Sequence, residues 1–218
     1  QGARSAATAR LRKRWMEREA AGELLWVGTQ VPCNASAQDA EMSLEEYEDF
    51  VLGACLVDRK DPIKAWKSIS RKQAKIVKRL NGTKKIRVVT KGTDLTMSVK
   101  GRTWVNCDGT SNMPDGEIFT GPIEDSVEGR ISFSYPAFYY GREAHGVQLT
   151  FKKGKVTKAK ATKGEEFLHA MLDSDEGARR VGEFAIGTNY AVQQFTRNTL
   201  FDEKMGGTVH MAVGASSP

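Results

Sequence analysis

Apolar residues recur at helical spacing through the first third of the chain. Residues 3–21, rich in Ala, Arg, Leu and Glu, predict one helix. In "MSLEEYEDFVLGACLV", Ser43 followed three residues later by Glu46 forms a capping box at the start of another. Between them, the apolar run "LLWVGTQVP" at residues 24–32 predicts a buried strand.

A further helix is predicted over residues 61–80. Asp61 supplies its N-cap and Pro62 its first turn. The dipeptide Asn81-Gly82 is expected to end it with a residue in the left-handed conformation.

The pattern changes after Asn81-Gly82. From Thr83 onward, short runs of alternating polar and apolar residues, each closed by glycine, predict an antiparallel meander. Two short helices are expected at residues 165–172 and 175–180. The predicted fold is α+β. It has an incomplete α/β N-terminal part over residues 1–82 and an antiparallel β-rich domain, truncated before its end, over residues 83–218.

Composition places the chain among folded proteins. Of its 218 residues, 39% are hydrophobic and 28% charged, enough for one sizeable core or two smaller ones. No stretch is long and apolar enough for a membrane-spanning helix, and nothing near Gln1 resembles a signal peptide. The chain opens inside a predicted helix without an initiator Met, so we expect a fragment. Cys33, Cys55 and Cys107 show no paired spacing, which favours reduced thiols and the cytoplasm.

The net charge of +6 is concentrated in two segments, residues 61–80 and residues 152–163. Both are predicted to be solvated faces of amphipathic elements, the ordinary place for such charge. A basic surface would also suit a polyanion, so a nucleic-acid-binding module is an alternative. In that alternative, Trp104, Tyr139 and Tyr140 would stack on bases.

Common catalytic motifs are absent: the sequence has no GxxxxGK[ST], GxGxxG, HExxH or GxSxG. Acids beside glycine or small polar residues, and one strand histidine, stand out as candidate metal ligands: Glu117, Glu183, Glu203 and His210. Taken singly, each acid is typical of a turn or a surface, and the histidine of a packed core position. His145 and His169 are interpreted as bystanders.

Three long blocks carry a resemblance: "MSLEEYEDFVLGAC", "TSNMPDGEIFTGPIEDSVEG" and "GEFAIGTNYAVQQFTRNTLFDEKMGGTVHMAVG". Together they resemble the thermophilic aminopeptidase family, metallo-exopeptidases of the aminopeptidase T or leucyl aminopeptidase type. The resemblance runs through nearly all of the chain.

The resemblance implies two divalent ions, zinc, cobalt, manganese or magnesium, held by carboxylates and histidines. Glu117, Glu183, Glu203 and His210 match family ligands, and Glu183, expected to bridge the ions, is the candidate catalytic residue. Oxygen donors with an imidazole suit these metals. The implied activity is hydrolysis of the first peptide bond of peptides with a free N-terminus by metal-activated water. A cytoplasmic homodimer with no nucleic-acid or membrane partner is expected.

Two departures from the family pattern modify this expectation. The family continues with a His-x-Asp element that adds ligands, whereas this sequence stops at Pro218, so residues 1–218 alone are expected to be inactive. The family also carries a tyrosine where this sequence has Ser217. A non-catalytic relative that uses the fold for assembly is therefore a further alternative.

Overall fold

Of the four N-terminal helices in the described part of the chain, three begin within a residue or so of the predicted start, and the fourth, Asn34–Asp39, was not predicted. The computed structural model describes residues 2–139 and 141–215. Its first helices are α1 (Gly2–Ala20), α2 (Asn34–Asp39), α3 (Leu44–Ala54) and α4 (Pro62–Leu80). The capping box of α3 is confirmed, because Ser43 Oγ accepts from Glu46 N and Glu46 Oε2 accepts from Ser43 N. Asp61 Oδ1 accepts from Lys64 N at the start of α4.

The predicted buried strand at residues 24–32 is wrong. Only β1 (Gly28–Thr29) forms there, paired in parallel with β5 (Asn112–Met113). Leu25 and Val31 are 95% and 81% exposed. An apolar run becomes a buried strand only when other layers cover it, and no described part of the chain covers these side chains.

Two other local predictions are also wrong. Neither Asn81 nor Gly82 is left-handed, and α4 closes instead through Asn81 N donating to Val77 O. Residues 175–180 form bends and turns rather than a helix, with Gly177 N and Ala178 N donating to Asp175 Oδ1. The other predicted helix is confirmed as α5 (Glu165–Leu172).

Two antiparallel sheets form most of the remaining structure. The five-stranded sheet has the order β11-β10-β7-β3-β2 and contains β2 (Lys85–Thr90), β3 (Thr93–Ser98), β7 (Glu128–Ser132), β10 (Gln148–Lys152) and β11 (Lys155–Lys160). The four-stranded sheet has the order β13-β12-β6-β4 and contains β4 (Val105–Cys107), β6 (Glu117–Thr120), β12 (Val181–Gly187) and β13 (Val209–Val213). A separate hairpin pairs β8 (Ala137–Tyr139) with β9 (Arg142–Ala144), and α6 (Thr199–Asp202) lies between β12 and β13.

This topology confirms the α+β class but not the simple meander. After β3 the chain forms β4, β5 and β6 outside the five-stranded sheet, and it returns to that sheet only at β7. The strands β3 and β7 are therefore neighbours in space although they are distant in sequence.

Two hydrophobic clusters hold these elements together. The larger cluster is shared by both sheets and α5. In the smaller one, α2 and α3 pack against Val192, Phe201 and Met205, which lie on and around α6. The aromatic ring of Tyr47 on α3 meets the ring of Phe201 edge-on, with centroids 6.3 Å apart. The N-terminal helices thus fix the segment between β12 and β13, and a domain boundary near residue 82 stays a prediction.

The two basic segments are exposed, as expected for solvated faces. Along α4 and along β10 and β11, the lysines and arginines point outward, with the buried Gln73 an exception to the polar outer face of α4. Among the described residues, we find no helix with the length and hydropathy needed to cross a membrane.

Candidate metal centre

Strand register brings three of the predicted residues to one face of the four-stranded sheet. Glu117 at the start of β6 pairs with Gly187 of β12, and His210 of β13 pairs with Ala185 of β12. Alternate residues of a strand share a face, so Glu183 lies on the same side. The central strand thus has a carboxylate beside two small residues, which leave room for side chains from both neighbouring strands.

The polar atoms of these three side chains converge. His210 Nε2 lies 3.1 Å from Glu183 Oε1 and 3.2 Å from Glu117 Oε2. Only the contact with Glu183 has hydrogen-bond geometry, so Glu117 Oε2 is buried without an aligned donor. One possible ligand atom from each residue lies within 4.8 Å of the other two. Ligands of one tetrahedral ion with bonds of about 2.0–2.2 Å stand about 3.3–3.6 Å apart. The two measured separations are slightly shorter than this range, so the three side chains would move apart by a few tenths of an ångström to hold a shared cation.

Glycines let other backbone segments approach the centre closely. A Cβ at Gly187 would lie 2.1 Å from the Met205 carbonyl oxygen. A Cβ at Gly116, whose φ is +113°, would lie 2.6 Å from Asn189 Cβ. The first approach places the residues after α6 beside Gly187, the strand partner of Glu117, and the second places Asn189 beside Gly116.

The close approach of Met205 to Gly187 places the preceding residue, Lys204, beside Glu117. The side chain of Lys204 is 1% exposed, and its Nζ donates to Glu117 Oε1 at 2.6 Å. The neighbouring Glu203 is 35% exposed, and its Oε2 lies 3.4 Å from the same ammonium. Glu203 is therefore close to the centre but is not part of the convergent group formed by Glu117, Glu183 and His210.

The backbone of Glu117 is held from the helical side by Gln73. This α4 side chain is 1% exposed, and its Nε2 donates to Glu117 O at 2.8 Å and to Cys107 O at 3.0 Å. A basic helix thus contributes one buried amide that fixes the start of β6.

A second group of possible ligands shares Glu117 with Cys107 and Asp115. Asp115 already accepts hydrogen bonds from Gly109 N and Gly116 N. Burial raises the pKa of Asp115 to about 6 and raises that of the Cys107 thiol well above its ordinary value. A protonated thiol and an engaged carboxylate are poor metal donors, so we interpret these two residues as structural.

Burial and charge compete at the central groups. Burial alone would lower the pKa of Lys204, but Glu117 and Glu203 outweigh it and raise the pKa to about 12. Burial likewise opposes protonation of His210, but Glu117 and Glu183 raise its pKa to about 9. Burial would raise the pKa of Glu117, yet His210 and Lys204 bring it below its ordinary value. For Glu203, burial dominates and raises the pKa.

The donor set fits a divalent ion. Two carboxylates and an imidazole are ligands that zinc, cobalt and manganese accept, and a metal would replace the proton on His210 Nε2. The buried Glu117 Oε2, which lacks an aligned donor, is the atom that most needs such a partner.

Comparison with known proteins agrees with this chemistry. A sequence profile of the thermophilic metalloprotease (M29) family matches residues 1–218. The chain belongs to this family.

Individual relatives of the M29 family match over most of the chain. Aminopeptidase 2 of Geobacillus stearothermophilus is 31% identical over 214 residues, covering 88% of this chain and 51% of the relative. Aminopeptidase PepS of Streptococcus thermophilus is 31% identical over 217 residues, covering 93% of this chain and 51% of the relative. The solved structure of wild-type AmpT from Thermus thermophilus superimposes with a TM-score of 0.71 at 29% identity, covering 80% of this chain and 46% of that one. The chain spans about half the length of these relatives.

Membership of the M29 family confirms the resemblance stated from sequence. Of the four predicted metal ligands, the structure brings three together and leaves Glu203 at the edge, in contact with Lys204. His145 lies away from the metal centre and is hydrogen-bonded to Glu143. Ser217 lies outside the described residues.

Sequence reasoning missed Lys204 and Gln73. Both lie in charged stretches, and no local pattern sets them apart. Their burial follows only from the packing of α4 and of the segment after α6 against β6.

Proposed function

We propose that the protein containing this chain is a metal-dependent aminopeptidase that removes N-terminal residues from peptides. The observation that carries the proposal is the convergence of Glu117, Glu183 and His210 around a buried carboxylate oxygen without an aligned donor. Support comes from membership of a metalloprotease family and from relatives that are named aminopeptidases.

The proposed site holds two divalent ions, zinc, cobalt, manganese or magnesium. Glu117, Glu183 and His210 would hold the first, and we keep Glu203 as a fourth candidate ligand. When bound, such ions polarise the scissile carbonyl and lower the pKa of the attacking water. A bridging role for Glu183 between the ions rests on the family resemblance.

Glu183 is the proposed proton carrier. Its side chain is 22% exposed, against 7% for Glu117, and it has no lysine partner comparable with Lys204 among the described contacts. A carboxylate at the open side of the site can take a proton from water and deliver it to the leaving amine. We therefore assign the catalytic role to Glu183 in addition to its ligand role, and a ligand role alone to Glu117.

Proposed partners are peptides with a free N-terminus and a second copy of the protein. The homodimer rests on the resemblance, and sedimentation of the purified protein tests it. Three free cysteines among the described residues support a cytoplasmic location. The nucleic-acid alternative is not favoured, because the chain belongs to a metalloprotease family and Trp104, which is 2% exposed, cannot stack on a base. Tyr139 is 54% exposed, and Tyr140 lies outside the described residues.

The test uses protein expressed from the complete gene. We expect it to release the chromophore from an aminoacyl p-nitroanilide but not from the N-acetylated analogue, to lose activity with a chelator, and to regain it with divalent ions. Glu183→Gln should lower kcat by about 100-fold or more. His169→Ala, on the surface of α5, is the control and should act like the wild type.

Two outcomes would contradict the proposal. A protein that retains no divalent ion at micromolar concentrations would exclude the metal site. A protein that binds ions but hydrolyses no aminoacyl reporter would instead support the non-catalytic alternative.

A further inference from the structure

Lys204 is buried far more completely than lysines usually are. Its side chain is 1% exposed. Moving an ammonium out of water costs several kcal/mol unless close opposite charges offset it. Here Glu117 Oε1 at 2.6 Å provides most of that compensation, and Glu203 Oε2 at 3.4 Å adds to it.

The backbone holds Lys204 rigidly in this position. Lys204 N donates to Phe201 O, and Lys204 O accepts from Asn189 N. The adjoining Met205 carbonyl packs where a side chain at Gly187 would otherwise lie. The ammonium is therefore carried by a backbone segment that is fixed beside Gly187, the last residue of β12.

This placement makes the two oxygens of Glu117 different. Oε1 is occupied by the Lys204 ammonium, whereas Oε2 has no aligned donor and lies 3.2 Å from His210 Nε2. An ion in the convergent group could reach Oε2 directly. It could reach Oε1 only by displacing a buried charged hydrogen bond.

We propose that Lys204 is a positioning residue that holds Glu117 as a monodentate ligand through Oε2 and so limits the coordination number of the metal. This inference rests on the metal-dependent function proposed above. A limited coordination number leaves a position open for water or substrate, which is what separates catalytic from closed metal sites.

The test is cobalt binding to chelator-treated protein from the complete gene, followed by visible absorption. Lys204→Met removes the donor and the charge, and Lys204→Gln removes the charge and shortens the side chain. In both, Glu117 Oε1 becomes free to join the metal, so we expect the d–d absorptivity to fall by about twofold or more as coordination rises. Lys204→Arg keeps a charged donor and should keep the wild-type spectrum. Lys163→Met, an exposed lysine outside the site, is the control.

The affinity for cobalt distinguishes a positioning role of Lys204 from a merely structural one. Removing a positive charge near the ion should leave cobalt affinity equal to or higher than that of the wild type, whereas damage to the fold would lower it. A folded Lys204→Met variant with a wild-type spectrum, or with lost cobalt binding, would overturn the inference. If Lys204→Met does not fold, the same readings on Lys204→Gln decide. Failure of the wild type itself to bind cobalt would overturn the proposed function instead.

Discussion

Replacing Gln73 by Met tests whether α4 positions the metal centre. The side chain of Met has nearly the same length but no amide. The Glu117 carbonyl would lose a 2.8 Å hydrogen bond, while the Cys107 carbonyl would keep its bond from Gly116 N. Glu117 also pairs with Cys107 in the β4–β6 ladder, so the loss is that of the two hydrogen bonds that Gln73 donates, at about 0.5–1.5 kcal/mol each, or about 1–3 kcal/mol together.

Part of this loss is recovered, because Gln73 Oε1 is itself buried without a partner and disappears with the substitution. We therefore expect Gln73→Met to lower the free energy of unfolding by about 1–2 kcal/mol. Urea denaturation followed by tryptophan fluorescence measures it, since Trp66 on α4 and Trp104 beside β4 both report on this packing.

The matched control is Lys72→Met, the same new side chain on the exposed side of the same helix. It should change stability by no more than about 0.5 kcal/mol. Equal stability of the two variants would refute the reasoning, because it would mean that the Gln73 amide does not anchor the start of β6.

Two further predictions concern protons and thiols. Because the metal-free pKa of His210 is about 9, a metal must displace its proton, so zinc affinity should rise by up to about tenfold per pH unit below pH 9 and then level off. Titration calorimetry between pH 6 and 8 measures this slope, and a flat profile would contradict it. Cys33 is exposed with its pKa lowered by Ser36, whereas burial raises the pKa of Cys55 to about 11 and also raises that of Cys107. Iodoacetamide should label native Cys33 first by mass spectrometry, and equally fast labelling of Cys107 would show that its burial is wrong.

Local signals predicted the parts of the fold that depend on neighbouring residues. The Ser43 and Glu46 capping box and the Asp61 cap follow from side chains that reach backbone groups three positions away. These interactions are nearly independent of the rest of the chain, so sequence was sufficient. The helix α5 is confirmed although Gly164 provides no side-chain cap.

Predictions that needed a covering layer or a distant partner were less secure. The apolar run at residues 24–32 has the composition of a buried strand, but burial depends on what packs against it. The order of strands in the five-stranded sheet likewise depends on where the chain leaves after β3 and returns at β7. Neither property is encoded within a short window of sequence.

The candidate site likewise contains residues that the sequence predicted and residues that it did not. The family blocks pointed to Glu117, Glu183 and His210, but alternation alone could not show that β6, β12 and β13 are adjacent. Lys204 gave no signal, because a lysine after two acids is ordinarily solvated. Its burial follows from the close approach of the Met205 backbone to Gly187.

Charge balance explains why the site would prefer a divalent ion to a proton or a monovalent cation. Near the centre, the carboxylates of Asp115, Glu117, Glu183 and Glu203 face, among the described residues, only the positive groups of Lys204 and protonated His210. Lys204 cannot give up its proton near neutral pH, because its pKa is about 12. The His210 proton is thus the exchangeable charge. Replacing it with a monovalent ion would leave the acidic excess unchanged, whereas a divalent ion reduces that excess at the point where Glu117 Oε2 has no aligned donor.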